Sequence, residues 1–248
     1  MAELPSGPRN RAILVLAGAG LLVVGAVAGG AAGYYWEARS ERQTVERIVH
    51  DYILANPEIL PQAMENLAGK ESAKRLAGVR EQVEKPFAQA VLGNPDGKVT
   101  LVEFSDYACG YCRQSVPAVD GLIAEHPDVR VVVRELPILS EESGEAARWA
   151  LAAAEQGKYA PFHKAMYEAG RPSAETIRAA ASAAGLDMAR ARAAAESPRV
   201  QAELERNLEL ARHLGFNGTP SWVAGDMILS GAVGKERLAE ALAKARGG

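Results

Sequence analysis

The chain is poor in cysteine and in aromatic residues, and it has no excess of positive charge. Two of its 248 residues are cysteines, aromatic residues make up 6%, and the formal net charge is −3. A small disulfide-stapled scaffold would use several cysteine pairs, and a nucleic-acid surface would carry a basic stripe. We therefore expect neither, and no nucleic-acid partner. The length suits one domain of ordinary size with an appendage.

Charge is missing altogether from one long segment near the N-terminus, residues 12–36. As a helix this segment would reach about 37 Å, which is enough to cross the hydrocarbon core of a membrane. We predict a transmembrane anchor there, with residues 1–11 in the cytoplasm because Arg9 and Arg11 precede the apolar run. The alternative is a signal peptide cleaved near Ala28. In both cases we expect the rest of the protein in the periplasm, where disulfides persist.

The next segment, residues 37–87, is charged and helix-forming. Apolar residues recur at three- and four-residue steps from Val45 to Ile53, which predicts a helical arm with one apolar stripe. Asn56 and Pro57 suit the N-cap and first position of a second helix. The stripe either packs on its own domain or mediates self-association, and the sequence leaves both open.

From residue 88 onward, strand patterns alternate with helix patterns. The predicted order is β, β, α, β, a block of helices, β, β, α, with a hairpin around Gly225 and Asp226. Strand, helix and strand in succession favour a parallel pair. We predict an α/β domain in two parts, 88–139 and 215–248, interrupted by an inserted helical subdomain at 140–214.

Both cysteines lie in one motif, Cys109-Gly110-Tyr111-Cys112, directly after a predicted strand and at the start of a predicted helix. A helix N-terminus favours negative charge, so the Cys109 thiolate is expected to be stabilised and nucleophilic. Cys112, one turn later, is suited to resolve a mixed disulfide. A disulfide between residues this close removes little chain entropy, which argues against a purely structural staple.

A metal site would need more ligands than this motif offers. A structural zinc takes four, and the chain has four histidines, none at a ligand spacing: His50, His126, His163 and His213. We expect no metal and no organic cofactor. Transient binding of a soft metal such as copper(I) by the reduced thiols stays open.

A second motif, Gly218-Thr219-Pro220, falls after the helical block and immediately before a predicted strand. A proline heading a central strand is unusual unless its peptide bond is cis and the site is special. An ordinary turn proline is the alternative.

Three stretches together carry a resemblance to a known family: TLVEFSDYACGYC, VVVRELPIL and GTPSWV. They resemble the thioredoxin superfamily, and more closely its exported DsbA-like thiol–disulfide oxidoreductases, over about residues 88–246. The resemblance implies a thioredoxin-like fold, with a central mixed sheet and a helical insertion. It implies that Cys109 is the nucleophile, Cys112 the resolving thiol and Pro220 a cis-proline facing the disulfide.

The same resemblance assigns further roles. Thr219 would offer backbone hydrogen bonds to a bound peptide, and Gly110 and Tyr111 would contact the substrate. Glu103, six residues before Cys109, would be a buried acid that accepts the proton of Cys112. The alternative for Glu103 is a carboxylate in water at the edge of a strand.

The chain departs from the best-known oxidase of this family, which has Pro-His where Gly110 and Tyr111 stand here. Isomerase or reductase activity therefore gains weight over strong oxidation. We expect a thiol–disulfide oxidoreductase, oxidase or isomerase, that exchanges disulfides with exported proteins and is reset by an unidentified redox partner. An isomerase would benefit from a homo-oligomer formed through the arm. The alternative is a non-catalytic chaperone or a copper(I)-binding protein that uses the same cleft.

Overall fold

Helices and strands make up most of residues 8–247, the part of the chain that this computed structural model describes; the side chains of residues 8–23, 31–32, 34–35, 37–38 and 40–41 are outside the described set. The helices are α1 Pro8–Ala55, α2 Ile59–Leu76, α3 Arg80–Glu84, α4 Gly110–Glu125, α5 Glu141–Glu155, α6 Tyr159–Glu168, α7 Ala174–Ala183, α8 Met188–Ala195, α9 Pro198–Leu214 and α10 Gly234–Gly247. The strands are β1 Val91–Gly93, β2 Val99–Ser105, β3 Val129–Glu135, β4 Ser221–Ala224 and β5 Met227–Ser230. The chain divides into two compact units, Met1–Met64 and Glu65–Gly248.

The first unit contains α1 and the beginning of α2. Asn56 follows α1 directly, and its side-chain amide donates a hydrogen bond to the carbonyl of Tyr52 at 2.8 Å. Its backbone N–H reaches the same carbonyl at 3.0 Å. α2 begins at Ile59, so the prediction that Asn56 and Pro57 are the N-cap and first position of the following helix is wrong; the Asn56 amide instead contacts a carbonyl in the last turn of α1.

The predicted membrane anchor, residues 12–36, lies within α1, and most of its side chains fall outside the described set, as do residues 1–7 entirely. In the described part of the chain, no helix has the length and apolar character needed to cross a membrane.

The second unit is built on a five-stranded sheet with the order β1-β3-β2-β4-β5. Strands β2 and β3 are parallel and are connected through α4, whereas the other neighbouring pairs are antiparallel. The hairpin of β4 and β5 turns at Gly225 and Asp226, as predicted. These findings confirm an α/β fold with a mixed sheet and a helical insertion.

The central strands are covered on both faces, and the two-residue period of a strand decides which side chain faces which layer. Leu101 lies in the core on the side of α4, α5–α8 and α10. Val102 and Phe104 lie in the opposite core, which contains Leu76 and Leu214. Residues 101, 103 and 105 thus share the face that α4 covers, and this alternation positions the site described below.

The inserted block consists of α5 to α9, and its helix starts follow local capping rules. Ser140 and Ser173 each form a capping box with the third residue of the helix that follows. Ser197 accepts a hydrogen bond from the backbone of Val200, and Gly215 ends α9 in the left-handed conformation. Ser140, Ser173 and Ser197 are thus the N-caps of α5, α7 and α9.

Candidate active site

The two cysteines lie at the N-terminus of α4, four residues after β2 ends. Cys109 is the N-cap residue, and its sulfur accepts a hydrogen bond from the backbone N–H of Cys112 at 3.4 Å. Both are free thiols; the exposed fraction is 6% for Cys109 and 0% for Cys112. One sulfur therefore lies near the surface at a helix N-terminus, and the other is enclosed behind it.

The second motif meets the first through the sheet. Antiparallel pairing of β2 with β4 sets Phe104 opposite Ser221, so the residues that precede β4 lie beside the start of α4. The Thr219–Pro220 peptide bond is cis. The Cys109 thiol donates a hydrogen bond to the carbonyl oxygen of Thr219 at 3.3 Å, so the structure brings both predicted motifs together.

Two further features of this surface concern substrate contact. Tyr111 is 64% exposed, and Gly110 beside it is exposed as well. The hydroxyl oxygen of Thr219 is buried and forms no hydrogen bond of ordinary geometry among the described residues, but it lies near Cys112 and lowers the pKa of that thiol against the larger effect of burial. The site thus combines an exposed aromatic side chain with a buried hydroxyl beside the resolving thiol.

Glu103 is buried beneath the cysteines rather than solvated. It lies on the α4 face of β2 and is 3% exposed. Burial raises the pKa of its carboxyl from 4.5 to about 7, and a hydrogen bond from Ser105 opposes that rise. Burial, followed by the charge of Glu103, raises the pKa of the Cys112 thiol to about 12. A proton therefore resides on Cys112 by default, and Glu103 is the acid that faces it.

The sequence did not predict two residues that lie beside Glu103, Ser105 and Tyr167. The hydroxyl of Ser105 donates to Glu103 Oε1 at 3.1 Å and lies 2.8 Å from the hydroxyl of Tyr167 on α6. Ser105 follows Glu103 by two positions on one strand, so the period of the strand could have identified it. Tyr167 has no local signal, because the inserted helical block brings it to the site.

Asp106 also went unnoticed, and it fixes the segment that precedes Cys109. Its carboxylate accepts hydrogen bonds from the backbone N–H of Ala108 at 2.7 Å and of Ile138 and Leu139 at 2.8 and 3.0 Å. The Ser143 hydroxyl adds a fourth at 3.2 Å. One buried side chain thus ties the cysteine loop to the start of the helical block.

A second buried acid, Glu135 at the end of β3, joins the helical block to the sheet. It accepts hydrogen bonds from the hydroxyls of Tyr107 at 3.2 Å and Tyr159 at 2.6 Å, and both hydroxyls contact His163 Nδ1. Burial raises the pKa of Glu135 to about 8 and lowers the pKa of His163 to about 3. We assign this cluster to packing of α6 on the sheet.

The histidines do not assemble around the cysteines. His163 lies in the cluster just described, His50 contacts Asp51, His126 ends α4, and His213 contacts the carbonyl of Arg75. Among the described residues, no group of three or more His, Cys, Asp or Glu side chains is arranged to hold a metal ion.

Comparison with known families matches most of the chain. Residues 100–243 match the DSBA-like thioredoxin domain, and residues 41–74 match the N-terminal domain of the copper resistance protein ScsC. The first match contains both cysteines, Glu103 and the cis-proline. The second covers the end of α1 and most of α2.

Solved structures agree with that match. A thioredoxin-like oxidoreductase from Silicibacter pomeroyi DSS-3 is 44% identical, with a TM-score of 0.64, over 68% of this chain and 98% of that one. A periplasmic thioredoxin-like protein from Salmonella enterica serovar Typhimurium is 27% identical, with a TM-score of 0.60, over 68% and 97%. These similarities confirm the predicted thioredoxin-like fold.

One relative is much longer than this chain and matches it over only part of its own length. The Na(+)/H(+) antiporter NhaA of Herminiimonas arsenicoxydans is 31% identical over 180 residues, which are 72% of this chain but 29% of the antiporter. The chain thus spans less than a third of the length of this relative. With the family model matched from residue 100 to residue 243, the chain belongs to the DSBA-like thioredoxin domain family, whose members are generally thiol–disulfide oxidoreductases.

Proposed function

We propose that the protein catalyses thiol–disulfide exchange on exported polypeptides through Cys109 and Cys112, as an isomerase or an oxidase. The contact between the Cys109 sulfur and the Thr219 carbonyl carries this proposal, because it brings the outer sulfur beside the cis-proline segment. A client chain that lies along that segment would present its own sulfur to Cys109.

The chemistry proceeds in two exchanges. The Cys109 thiolate attacks one sulfur of a client disulfide; a new S–S bond forms, and the other client sulfur leaves with the electron pair. Cys112 then attacks the sulfur of Cys109, and the first client sulfur leaves as a thiolate while the Cys112 proton passes to Glu103. The client has gained two electrons and the protein has lost two. Run in reverse, the same steps oxidise a client dithiol.

Isomerisation uses only the first exchange and its reversal at another client sulfur. The high pKa of Cys112 supports this mode, because a thiol that holds its proton resolves slowly and leaves the client time to rearrange. Net oxidation or reduction needs a redox partner that resets the pair. The periplasm is the proposed compartment, because disulfides persist there and the similar Salmonella protein is periplasmic.

Two single substitutions test the assignment. Cys109→Ser should abolish turnover of a scrambled disulfide substrate, because the accessible nucleophile is lost. Cys112→Ser should retain the first exchange and accumulate mixed disulfides, seen as a mass increase that dithiothreitol reverses. Full activity in Cys109→Ser would refute the proposal, and Ser115→Ala on the same helix serves as the control for folding.

The arm is proposed to bring several catalytic domains together. Apolar side chains that are 50–61% exposed follow one another along the end of α1: Val45, Ile48, Val49 and Tyr52. An exposed stripe of this kind favours burial against a second copy, and the match to the ScsC N-terminal domain covers the same residues.

Light scattering of the full chain at micromolar concentration tests this arrangement. We expect an oligomeric mass for the wild type and a monomeric mass for Ile48→Glu, because a buried charge disrupts an apolar interface. The control Gln43→Glu changes an exposed polar position of the same helix and should remain oligomeric. A monomeric wild type would overturn the self-association proposal and leave the exchange chemistry intact.

A copper(I)-binding function is the second candidate, favoured by the match of residues 41–74 to a domain of a copper resistance protein. The two free thiols would be its ligands. Stoichiometric copper(I) uptake by the reduced wild type, absent in the Cys109→Ala, Cys112→Ala double variant, would support it. A chaperone role would instead persist in that double variant.

A further inference from the structure

The inserted helical block brings one side chain to Ser105, beside the buried acid Glu103. Tyr167 lies on α6, and its hydroxyl reaches Ser105 Oγ at 2.8 Å and the carbonyl of Asp106 at 3.3 Å. Both Ser105 and Tyr167 are buried. The hydroxyl of Ser105 therefore has a fixed position between the phenol of Tyr167 and the carboxyl of Glu103.

Ser105 also lies on the side of β2 toward the resolving thiol, because residues 103 and 105 share the face that α4 covers and Cys112 is a buried residue of α4. A hydrogen bond from its hydroxyl stabilises the Cys112 thiolate and so lowers the pKa of that group, against the larger effect of burial. While Cys112 holds its proton, the same hydroxyl donates to Glu103 Oε1 at 3.1 Å. A hydroxyl can accept one proton while it donates another, so Ser105 is placed to link Cys112 to Glu103.

We propose that Ser105 is the relay between Cys112 and Glu103 and that Tyr167, from the inserted subdomain, is the residue that positions it. This proposal rests on the proposed thiol–disulfide function. As Cys112 attacks the Cys109 sulfur and expels the client thiolate, its proton passes to Ser105 Oγ, and the original Ser105 proton passes to Glu103. No proton is gained or lost within the chain, and the reverse transfer accompanies departure of Cys112 from the disulfide.

Other titratable groups face this relay from every element around it. They are Cys112 on α4, Tyr107 in the loop after β2, Glu135 on β3, and Tyr167 and His163 on α6. Glu103 and His163 also line a cavity of about 320 Å³ with Val119 and Lys164. That cavity is large enough for water, so a proton received by Glu103 has a path of exchange that avoids the cysteines.

The experiment follows expulsion of glutathione from its mixed disulfide with Cys109, in the full chain, as a function of pH. Ser105→Ala should slow expulsion about tenfold below pH 8 and move the midpoint of the pH profile upward, because the thiolate loses a hydrogen bond to a charged group. Ser105→Thr keeps a hydroxyl and should restore the rate. Tyr167→Phe should slow expulsion about threefold, since Ser105 stays but is less well oriented.

Two controls separate the outcomes. Tyr159→Phe removes a buried phenol from the neighbouring cluster and should leave the pH profile of expulsion unchanged. Alkylation of Cys109 by iodoacetamide should proceed equally in all variants, because the nucleophile is not altered. Equal rates and midpoints in Ser105→Ala and wild type, or an equal loss in Ser105→Ala and Ser105→Thr, would overturn the relay. Failure of the wild type itself to expel glutathione would instead refute the proposed function.

Discussion

The sulfur of Cys109 lies 3.3 Å from the carbonyl oxygen of Thr219, a residue 110 positions later in the chain. The contact exists because β2 and β4 pair in the middle of the sheet, and each strand has one of the two motifs at its end. While Cys109 is protonated, its thiol donates to that carbonyl. Once ionised it has no hydrogen to offer, and the carbonyl becomes free to accept from the backbone of a client peptide.

The neighbouring hydroxyl of Thr219 leads to a prediction about stability. It is buried without a hydrogen bond of ordinary geometry among the described residues, with only the Cys112 thiol near it, and a poorly satisfied buried polar group costs free energy. Thr219→Val should therefore raise the free energy of unfolding of the reduced protein by about 1 kcal/mol. Urea denaturation measures this, and Thr219→Ser, which retains the hydroxyl, should show no such gain. A less stable valine variant would contradict the prediction.

Glu103 predicts a dependence of stability on pH. Its folded pKa of about 7 exceeds the usual 4.5, so between these values the unfolded chain releases a proton that the folded protein retains. Stability is therefore lost as the pH rises from about 4.5 to about 7, by an amount of order 3 kcal/mol. Glu103→Gln should remove that part of the loss and be more stable than wild type at pH 8.

Chemical denaturation at several pH values between 4.5 and 8 measures the effect. Glu135, whose pKa is raised to about 8, produces a loss of the same sign, so the Gln variant should retain a smaller slope. The control Glu209→Gln changes an exposed carboxyl and should follow the wild-type curve. Parallel curves for wild type and Glu103→Gln would show that Glu103 does not titrate in this range.

A buried ion pair between Arg134 and Glu203 joins β3 to α9, with Arg134 Nη1 2.6 Å from Glu203 Oε1. Arg134 also donates to the carbonyls of Gln82, Val83 and Lys85 around the end of α3. Arg134→Met should cost about 3–5 kcal/mol, because it leaves Oε1 of the buried Glu203 carboxylate and three backbone carbonyls without their Arg134 donors.

A matched control comes from the same carboxylate. Arg206 also contacts Glu203 at 2.6 Å, but its side chain is 52% exposed. Removing an exposed partner costs about 0–1 kcal/mol, so Arg206→Met should be close to neutral. Urea unfolding measures the free energy of unfolding of both variants. Equal losses of this free energy would refute the assignment of the buried pair as the stronger contact.

Tyr111 predicts a separation between client binding and chemistry. Its ring is 64% exposed beside Cys109, and an aromatic ring buried on binding contributes about 1–2 kcal/mol. Tyr111→Ser should therefore raise the KM for an unfolded polypeptide roughly tenfold. Its rate of reaction with glutathione should stay at the wild-type value, because so small a thiol does not bury the ring. A slower reaction with glutathione, matching the loss of activity on the polypeptide, would contradict a binding role.

Much of the sheet could be predicted because its signals are local. The β-branched run of β3 and the Gly225-Asp226 turn stand within a few residues of the elements they define. The cysteine motif could be predicted for the same reason, because the strand, the short loop and the helix start are contiguous in the chain. Asn56 could not be placed from sequence, because an Asn side chain suits either end of a helix. In the structure its amide contacts the carbonyl of Tyr52, near the end of α1.

The residues around the cysteines were harder to foresee, because they meet through tertiary packing. The sequence alone leaves open whether Glu103 is buried or solvated. It is buried because α4 covers that face of β2. Tyr167 is one aromatic residue in an alanine-rich helical block, and nothing in its neighbours distinguishes it from a packing residue. Arg134 and Glu203 are 69 positions apart, so no local pattern connects them.

The two halves of the site, the cysteine motif and the Thr219-Pro220 segment, are far apart in the chain and are therefore synthesised at different times. A ribosome delivers the chain from its N-terminus, so Cys109 and Cys112 are complete while the strand that follows Pro220 does not yet exist. During that interval β2 lacks its β4 neighbour, and the two thiols belong to an unfinished polypeptide. The newly made chain is then chemically equivalent to the polypeptides on which the protein is proposed to act.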